Sequence, residues 1–121
     1  MAEHTGTILV IDDNRDLGNL LSQHLSSRGF TVATAATGAA GLALAADLDP
    51  RLILLDLRLP DMSGLDVLGR LRTLLPAAEV VIITGYPEFF SALAAIKGRV
   101  VDYLCKPFRL GALDGALTRV F

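Results

Sequence analysis

The chain has 121 residues, 52% of them hydrophobic and 20% charged, and carries a net charge of −2. That length holds one core rather than two, and that composition excludes a disordered chain. The slight acidity leaves no basic surface for nucleic acid, so any DNA contact would need a second domain. The single cysteine cannot form an internal disulfide and fits a reducing cytoplasm. No apolar run approaches the roughly 20 residues that cross a bilayer, and residues 1–7 lack a charged-then-apolar leader pattern. A cytoplasmic protein without membrane contact is the expectation.

In chain order, residues 7–11 (TILVI) read as the first strand, followed by a helix carrying Leu17, Leu20, Leu21 and Leu25 that stops at Arg28-Gly29. Residues 31–35 (TVATA) form a second strand. An alanine-rich helix over 38–48 follows, with Thr37 as its cap. Residues 52–55 (LILL) are a third strand. A third helix then carries Leu68, Leu71 and Leu75, with Ser63 and Asp66 spaced as a capping box. Residues 80–83 (VVII) are a fourth strand, and Pro87 opens a helix with Phe89, Phe90, Leu93 and Ile96. Residues 100–104 (VVDYL) make the last strand, and a helix with Leu110, Leu113, Leu117 and Val120 runs to the final residue.

Three of the strands are nearly continuous in Ile, Leu and Val, as strands buried on both faces of a parallel sheet must be. Strict strand–helix alternation implies right-handed crossovers with helices on both faces. Two α/β arrangements fit: a flavodoxin-like (βα)5 three-layer sandwich of strand order 2-1-3-4-5, or a Rossmann half. No GxGxxG follows the first strand, which disfavours the second. No repeat or linker interrupts residues 1–121, so a single module is expected, with any output domain outside this chain.

Asp12 and Asp13 close the first strand, Asp56 the third, Thr84 the fourth and Lys106 the fifth. In an open α/β sheet those ends converge on one edge, where ligands bind. Alone, each has an ordinary explanation: an Asp pair caps a helix, a strand-end Asp or Lys is solvated, and a Thr satisfies its hydroxyl locally. All five on one rim is a different matter. Three carboxylates crowded together repel unless some are protonated or a cation sits among them, and an all-oxygen acidic pocket suits Mg²⁺. One carboxylate can then act as nucleophile. Lys106 and the metal would neutralise an incoming phosphoryl group, Thr84 would donate to its oxygen, and Gly85 leaves it room.

These residues resemble the receiver domains of two-component response regulators. The stretch ILVIDDN is similar to that family's first strand and acid pair, and LILLDLRLPDMSGLDVL to its phosphorylation segment. VVIITGY and VDYLCKPF resemble its last two strand motifs. The resemblance implies that Asp56 accepts a phosphoryl group from a sensor histidine kinase, a phosphotransfer protein or a small donor. It implies Mg²⁺ held by Asp13 and Asp56 directly, by Asp12 through a bound water, and by the Arg58 backbone carbonyl. Thr84 and Lys106 would bind phosphoryl oxygens, Tyr103 would be the switch aromatic, and the Lys106-Pro107 bond would be cis. The face of the last helix, strand and helix would carry the change outward and could pair two copies. Arg99 and Val100 stand where the family usually has Gly-Ala, with Gly98 one step earlier. Arg58 and Tyr86, each two residues beyond a site residue, form a bulky pair expected to slow water's approach and prolong the phosphorylated state.

Rival functions fare worse. A phosphatase of the haloacid-dehalogenase kind needs a second acid two residues past its nucleophile, where Arg58 stands, so an enzyme turning over phosphate esters is not expected. A degenerate, unphosphorylated module would have lost an acid or the lysine. A flavin or nucleotide carrier would need a glycine-rich or aromatic cradle, and residues 38–41 (GAAG) are too short for a phosphate loop. His4 and His24 have no ligand partner nearby in sequence, Cys105 reads as an inert small hydrophobe, and Phe89 or Phe90 as core or a partner patch.

Overall fold

The apolar runs pair edge to edge. The computed structural model describes residues 6–86, 88 and 100–121. Among these, β1 (Thr7–Ile11), β2 (Thr31–Ala35), β3 (Leu52–Asp56), β4 (Glu79–Thr84) and β5 (Asp102–Cys105) form one parallel sheet of order β2-β1-β3-β4-β5. The flavodoxin-like order holds, and the Rossmann half falls away. Four helices are described: α1 (Arg15–Ser26), α2 (Gly38–Leu48), α3 (Gly64–Leu74) and α4 (Leu110–Leu117). The helix expected from Pro87, with Phe89, Phe90, Leu93 and Ile96, lies outside the described residues, as do His4, Gly98 and Arg99.

Alternating side chains split the strands between two cores. Ile8 and Val10 of β1 join Leu21 and Leu25 of α1 and Leu113 and Leu117 of α4 on one face. Leu9 and Ile11 join Ala45 of α2 and Val67, Leu68 and Leu71 of α3 on the other. The central strand β3 is buried along its whole length, whereas the edge strand β2 is partly exposed and correspondingly rich in Thr and Ala. Each fully buried Leu or Ile contributes roughly 1.5–3 kcal/mol of transfer free energy, so the doubly covered centre of the sheet anchors its rim.

Caps set the helix starts. Asn14 accepts from Leu17 N at 3.1 Å, Thr37 from Ala40 N at 3.1 Å, and Ser63 from Leu65 N at 3.1 Å. Ser63 thus caps one residue earlier than the reciprocal box with Asp66 requires. The chain leaves α1 through Gly29 at φ 97, a left-handed value open to glycine. Several expectations need correction. Leu20 is 49% exposed because it lies off the Leu17, Leu21, Leu25 stripe. Leu75 packs against the α2–α3 core as expected, but as the cap of α3, ahead of Pro76. β5 starts at Asp102, since the ladder to β4 begins at the Val81–Asp102 pair; Val101 N makes one further bond to Val80 O, at 2.8 Å. α4 stops at Leu117, where the Thr118 hydroxyl donates to Gly115 O at 2.7 Å and tightens the turn. Among the described residues no helix is long and apolar enough to cross a membrane.

Candidate functional site

Parallel pairing aligns the strand ends. Ile11 pairs with Leu55, Asp56 with Ile83, and Thr84 with Cys105, so the residues at or just beyond those ends share one rim. Asp12, Asp13 and Asp56 there offer oxygens that all lie within 4.8 Å of one another. β1 lies between β2 and β3, with α1 and α2 packed on opposite faces of the sheet, which is the strand-order reversal where α/β sheets open a crevice. Asp12 is anchored by its own backbone, its N–H bonding Ala35 O at 2.9 Å.

Lys106 reaches into this cluster from just beyond β5. Its Nζ lies 2.6 Å from Asp12 Oδ2 and 3.0 Å from Asp56 Oδ2, and donates a well-aligned hydrogen bond to the latter. Asp12 Oδ2 is buried and has this ammonium as its close charged partner. The other oxygens are held by backbone: Asp12 Oδ1 accepts from Asn14 N at 2.9 Å and Asp56 Oδ1 from Arg58 N at 3.2 Å. Burial is the main force raising the Asp12 carboxyl above its ordinary pKa and Asp56 adds to it; Lys106 and the Asn14 amide oppose them. For Lys106, burial pulls downward, but its bonds and charge attraction to Asp12 and Asp56 outweigh this and leave it raised.

One ammonium against three carboxylates leaves an excess of two negative charges when all are ionised. Each like-charge pair at this spacing repels by on the order of 3 kcal/mol at an effective dielectric near 20. An all-oxygen set and a doubly negative excess fit a hard divalent cation, and Mg²⁺ in particular.

Thr84 is fully buried, and its Oγ1 accepts from Tyr86 N at 3.1 Å. Its carbonyl accepts from Lys106 N at 2.7 Å, tying the two residues' backbones together. The Lys106-Pro107 peptide is cis, as expected. Tyr103 is partly buried against the α2–α3 side of the core, in register with Ile82. The Arg58 guanidinium stacks 4.3 Å from the centre of the Tyr86 ring, and both border a cleft of ≈ 370 Å³ with Asp13, Asp56, Leu59 and Pro60.

Two contacts escaped the sequence. Asp61 accepts from Gly38 N at 2.8 Å and Ala39 N at 2.9 Å; the only trace in sequence is that α2 has no acid in its own first turn. His24, expected to be structural or solvated, meets Asp114 at 2.7 Å, a partner 90 residues away that no local pattern could reveal. Arg28 shares that carboxylate at 3.0 Å.

The arrangement is that of an open parallel α/β protein with an acid–lysine cluster at its switch point. The sequence profile of the response regulator receiver domain matches residues 8–118, and the chain belongs to that family, the receiver domains of two-component systems. It is 39% identical over 111 residues to the photosynthetic apparatus regulatory protein RegA of Rhodovulum sulfidophilum, covering 92% of this chain and 61% of that one. It is 43% identical over 113 residues to the transcriptional regulatory protein KdpE of Mycobacterium tuberculosis, covering 93% and 48%. The chain thus spans about half to three-fifths of those relatives. Among solved structures, the response regulator TrrA of Thermotoga maritima, in complex with Mg²⁺-BeF, is similar at a TM-score of 0.85 and 28% identity, over 95% of this chain and 98% of that one.

Proposed function

We propose that this receiver domain accepts a phosphoryl group on Asp56, from a sensor histidine kinase, a phosphotransfer protein or a small phosphodonor in the cytoplasm, and thereby controls an output domain or partner. The observation that carries the reading is the position of Asp56, buried among two further acids with Lys106 Nζ 3.0 Å from its Oδ2. An Asp56 oxygen attacks phosphorus while the bond from phosphorus to the donor's imidazole nitrogen breaks. The electron pair leaves with the imidazole, which takes up a proton.

Asp13, Asp56 and the Arg58 carbonyl would hold Mg²⁺, with Asp12 acting through a bound water; the ion supplies charge neutralisation for the transferring group. Lys106 stands ready to follow its charge from the carboxylate to the phosphoryl oxygens. Thr84 Oγ1 accepts from Tyr86 N, which leaves its proton free to donate to a phosphoryl oxygen. Turning toward that group would break the bond to Tyr86 N and open space for Tyr103 to move inward, giving two alternative arrangements that phosphorylation biases. The surface of β5 and α4, with the segment between residues 87 and 99, would carry the change outward and pair two copies. The reaction is the domain's own phosphorylation and slow dephosphorylation rather than turnover of a substrate.

Incubation with acetyl phosphate and Mg²⁺, read by intact mass, tests this directly. Wild type gains one phosphoryl group and Asp56→Asn gains none. Equal labelling of both, or labelling of neither, overturns the assignment.

A further inference from the structure

A loop, residues 57–63, leads from β3 to α3, with Leu57 buried and Arg58 exposed at its base. The base is closed by Gly64 N to Leu57 O at 2.9 Å and by the antiparallel bridge between Arg58 and Ser63. Only residues 59–62 lie beyond that bridge, and Asp61 is among them. Its two carboxylate oxygens accept from Gly38 N at 2.8 Å and Ala39 N at 2.9 Å, the first two amides of α2. Thr37 already caps the same helix end through Ala40 N at 3.1 Å. The helix therefore has its own cap, and Asp61 is a second one delivered from another loop. Its charge also complements the positive end of the helix dipole, and the two amides hold its carboxyl below the ordinary value of 3.8.

The seat is close-fitting as well as charged. A Cβ added at Gly38 would run into the Met62 side chain and approach Val67 Cγ2 at 3.0 Å, so the loop beside Asp61 lies directly on the helix backbone. From the helix the restraint runs through Asp61 to the bridge at Arg58, and from Arg58 N to Asp56 Oδ1 at 3.2 Å.

We infer that Asp61 is a positioning residue for the cation site: it clamps the loop tip to the N-terminus of α2 and so fixes the Arg58 backbone beside Asp56. This rests on the Mg²⁺ reading above. Asp61 lies outside the acid cluster of Asp12, Asp13 and Asp56. Releasing it frees the tip, and the backbone oxygen required of Arg58 must then be ordered at the moment of binding, which weakens affinity.

Calorimetric titration with Mg²⁺ alone, with no phosphodonor, compares wild type, Asp61→Ala, Asp61→Asn and Asp13→Asn. Asp61→Ala is expected to raise the Mg²⁺ Kd about tenfold, the lower end of the effect of losing a group that orients a ligand. Asp61→Asn keeps one acceptor oxygen and should fall between. Amide exchange at Gly38 and Ala39 accelerates in the same order. An Asp61→Ala protein that melts earlier yet binds Mg²⁺ like wild type overturns the inference and leaves Asp61 a plain cap. If Asp61→Ala fails to fold, Asp61→Asn decides on the same criterion. Should wild type itself bind no better than Asp13→Asn, the Mg²⁺ reading fails, and this inference with it; failure of Asp61 alone leaves that reading standing.

Discussion

At the scale of single residues, the pair beside the acids bears most directly on how long a signal would last. Arg58 and Tyr86 come from different loops, yet the guanidinium lies 4.3 Å from the ring centre. The stack borders the cleft that Asp13 and the buried Asp56 also line. On the proposed function, water attacking a phosphoryl group on Asp56 would approach opposite the carboxylate oxygen, and this cleft leads to that side chain. A cation–π contact at an exposed site is worth about 0.5–1 kcal/mol, so it holds the cleft narrowed for most of the time. Truncating both partners, Arg58→Ala with Tyr86→Ala, should shorten the lifetime of the phosphorylated form about two- to fivefold, since each 1.36 kcal/mol is a factor of ten. Decay of the phosphorylated mass after the donor is removed measures it. An unchanged half-life in the double variant would remove any gating role from the stack.

At the scale of elements, what was legible in the sequence depended on how local the cause was. The Ile, Leu and Val runs at residues 7–11 and 52–55 announce strands because only a doubly covered sheet wants such continuity, and the structure extends the second of them by just Asp56. Residues at strand ends are legible for the same reason: parallel pairing brings every carboxyl end to one rim, so Asp12, Asp13, Asp56, Thr84 and Lys106 needed no knowledge of side-chain contacts. Leu20 misled because apolar character alone does not say which side of the stripe a residue occupies. The Asp61 cap was illegible because its partners lie 22 and 23 residues earlier, in an element that already had a cap.

That cap makes a pH prediction for α2. The Asp61 carboxyl is lowered in the folded chain, first by its bond from Ala39 N and then by that from Gly38 N. A depressed acid contributes stability that is fully present above its unfolded value near 3.8 and is lost as pH falls through the folded value. The stability difference between wild type and Asp61→Asn should therefore be largest at neutral pH and shrink below about pH 4. Denaturant melts at pH 6 and pH 3 test this; a difference that persists undiminished at pH 3 would show that the charge is irrelevant to the cap.

At the scale of the whole molecule, folding itself creates the acid cluster. The unfolded chain keeps Asp12 and Asp13 some forty residues from Asp56, whereas the native sheet places their oxygens within 4.8 Å and supplies one lysine to balance three carboxylates. Burial and Asp56 raise the Asp12 carboxyl, so ionising it opposes folding in the metal-free protein, and the strand cores of both faces must outweigh that. A site of this kind trades stability for affinity, and the trade has a sign that can be read in a melting curve. Because Mg²⁺ would bind the native rim and not the separated acids of the unfolded chain, a concentration ten times its Kd should stabilise wild type by about 1.4 kcal/mol. For a domain of this size that is a rise in Tm of about 5 °C. Asp13→Asn removes one of the crowded charges, so its metal-free Tm should exceed that of wild type while its response to Mg²⁺ disappears. Ca²⁺, larger and less demanding of octahedral geometry, should stabilise wild type as well, whereas raising NaCl to the same ionic strength should not. If Asp13→Asn melted below wild type without metal and still responded to Mg²⁺, the cluster would be neither a source of repulsion nor a cation site, and its convergence on the rim would need another explanation.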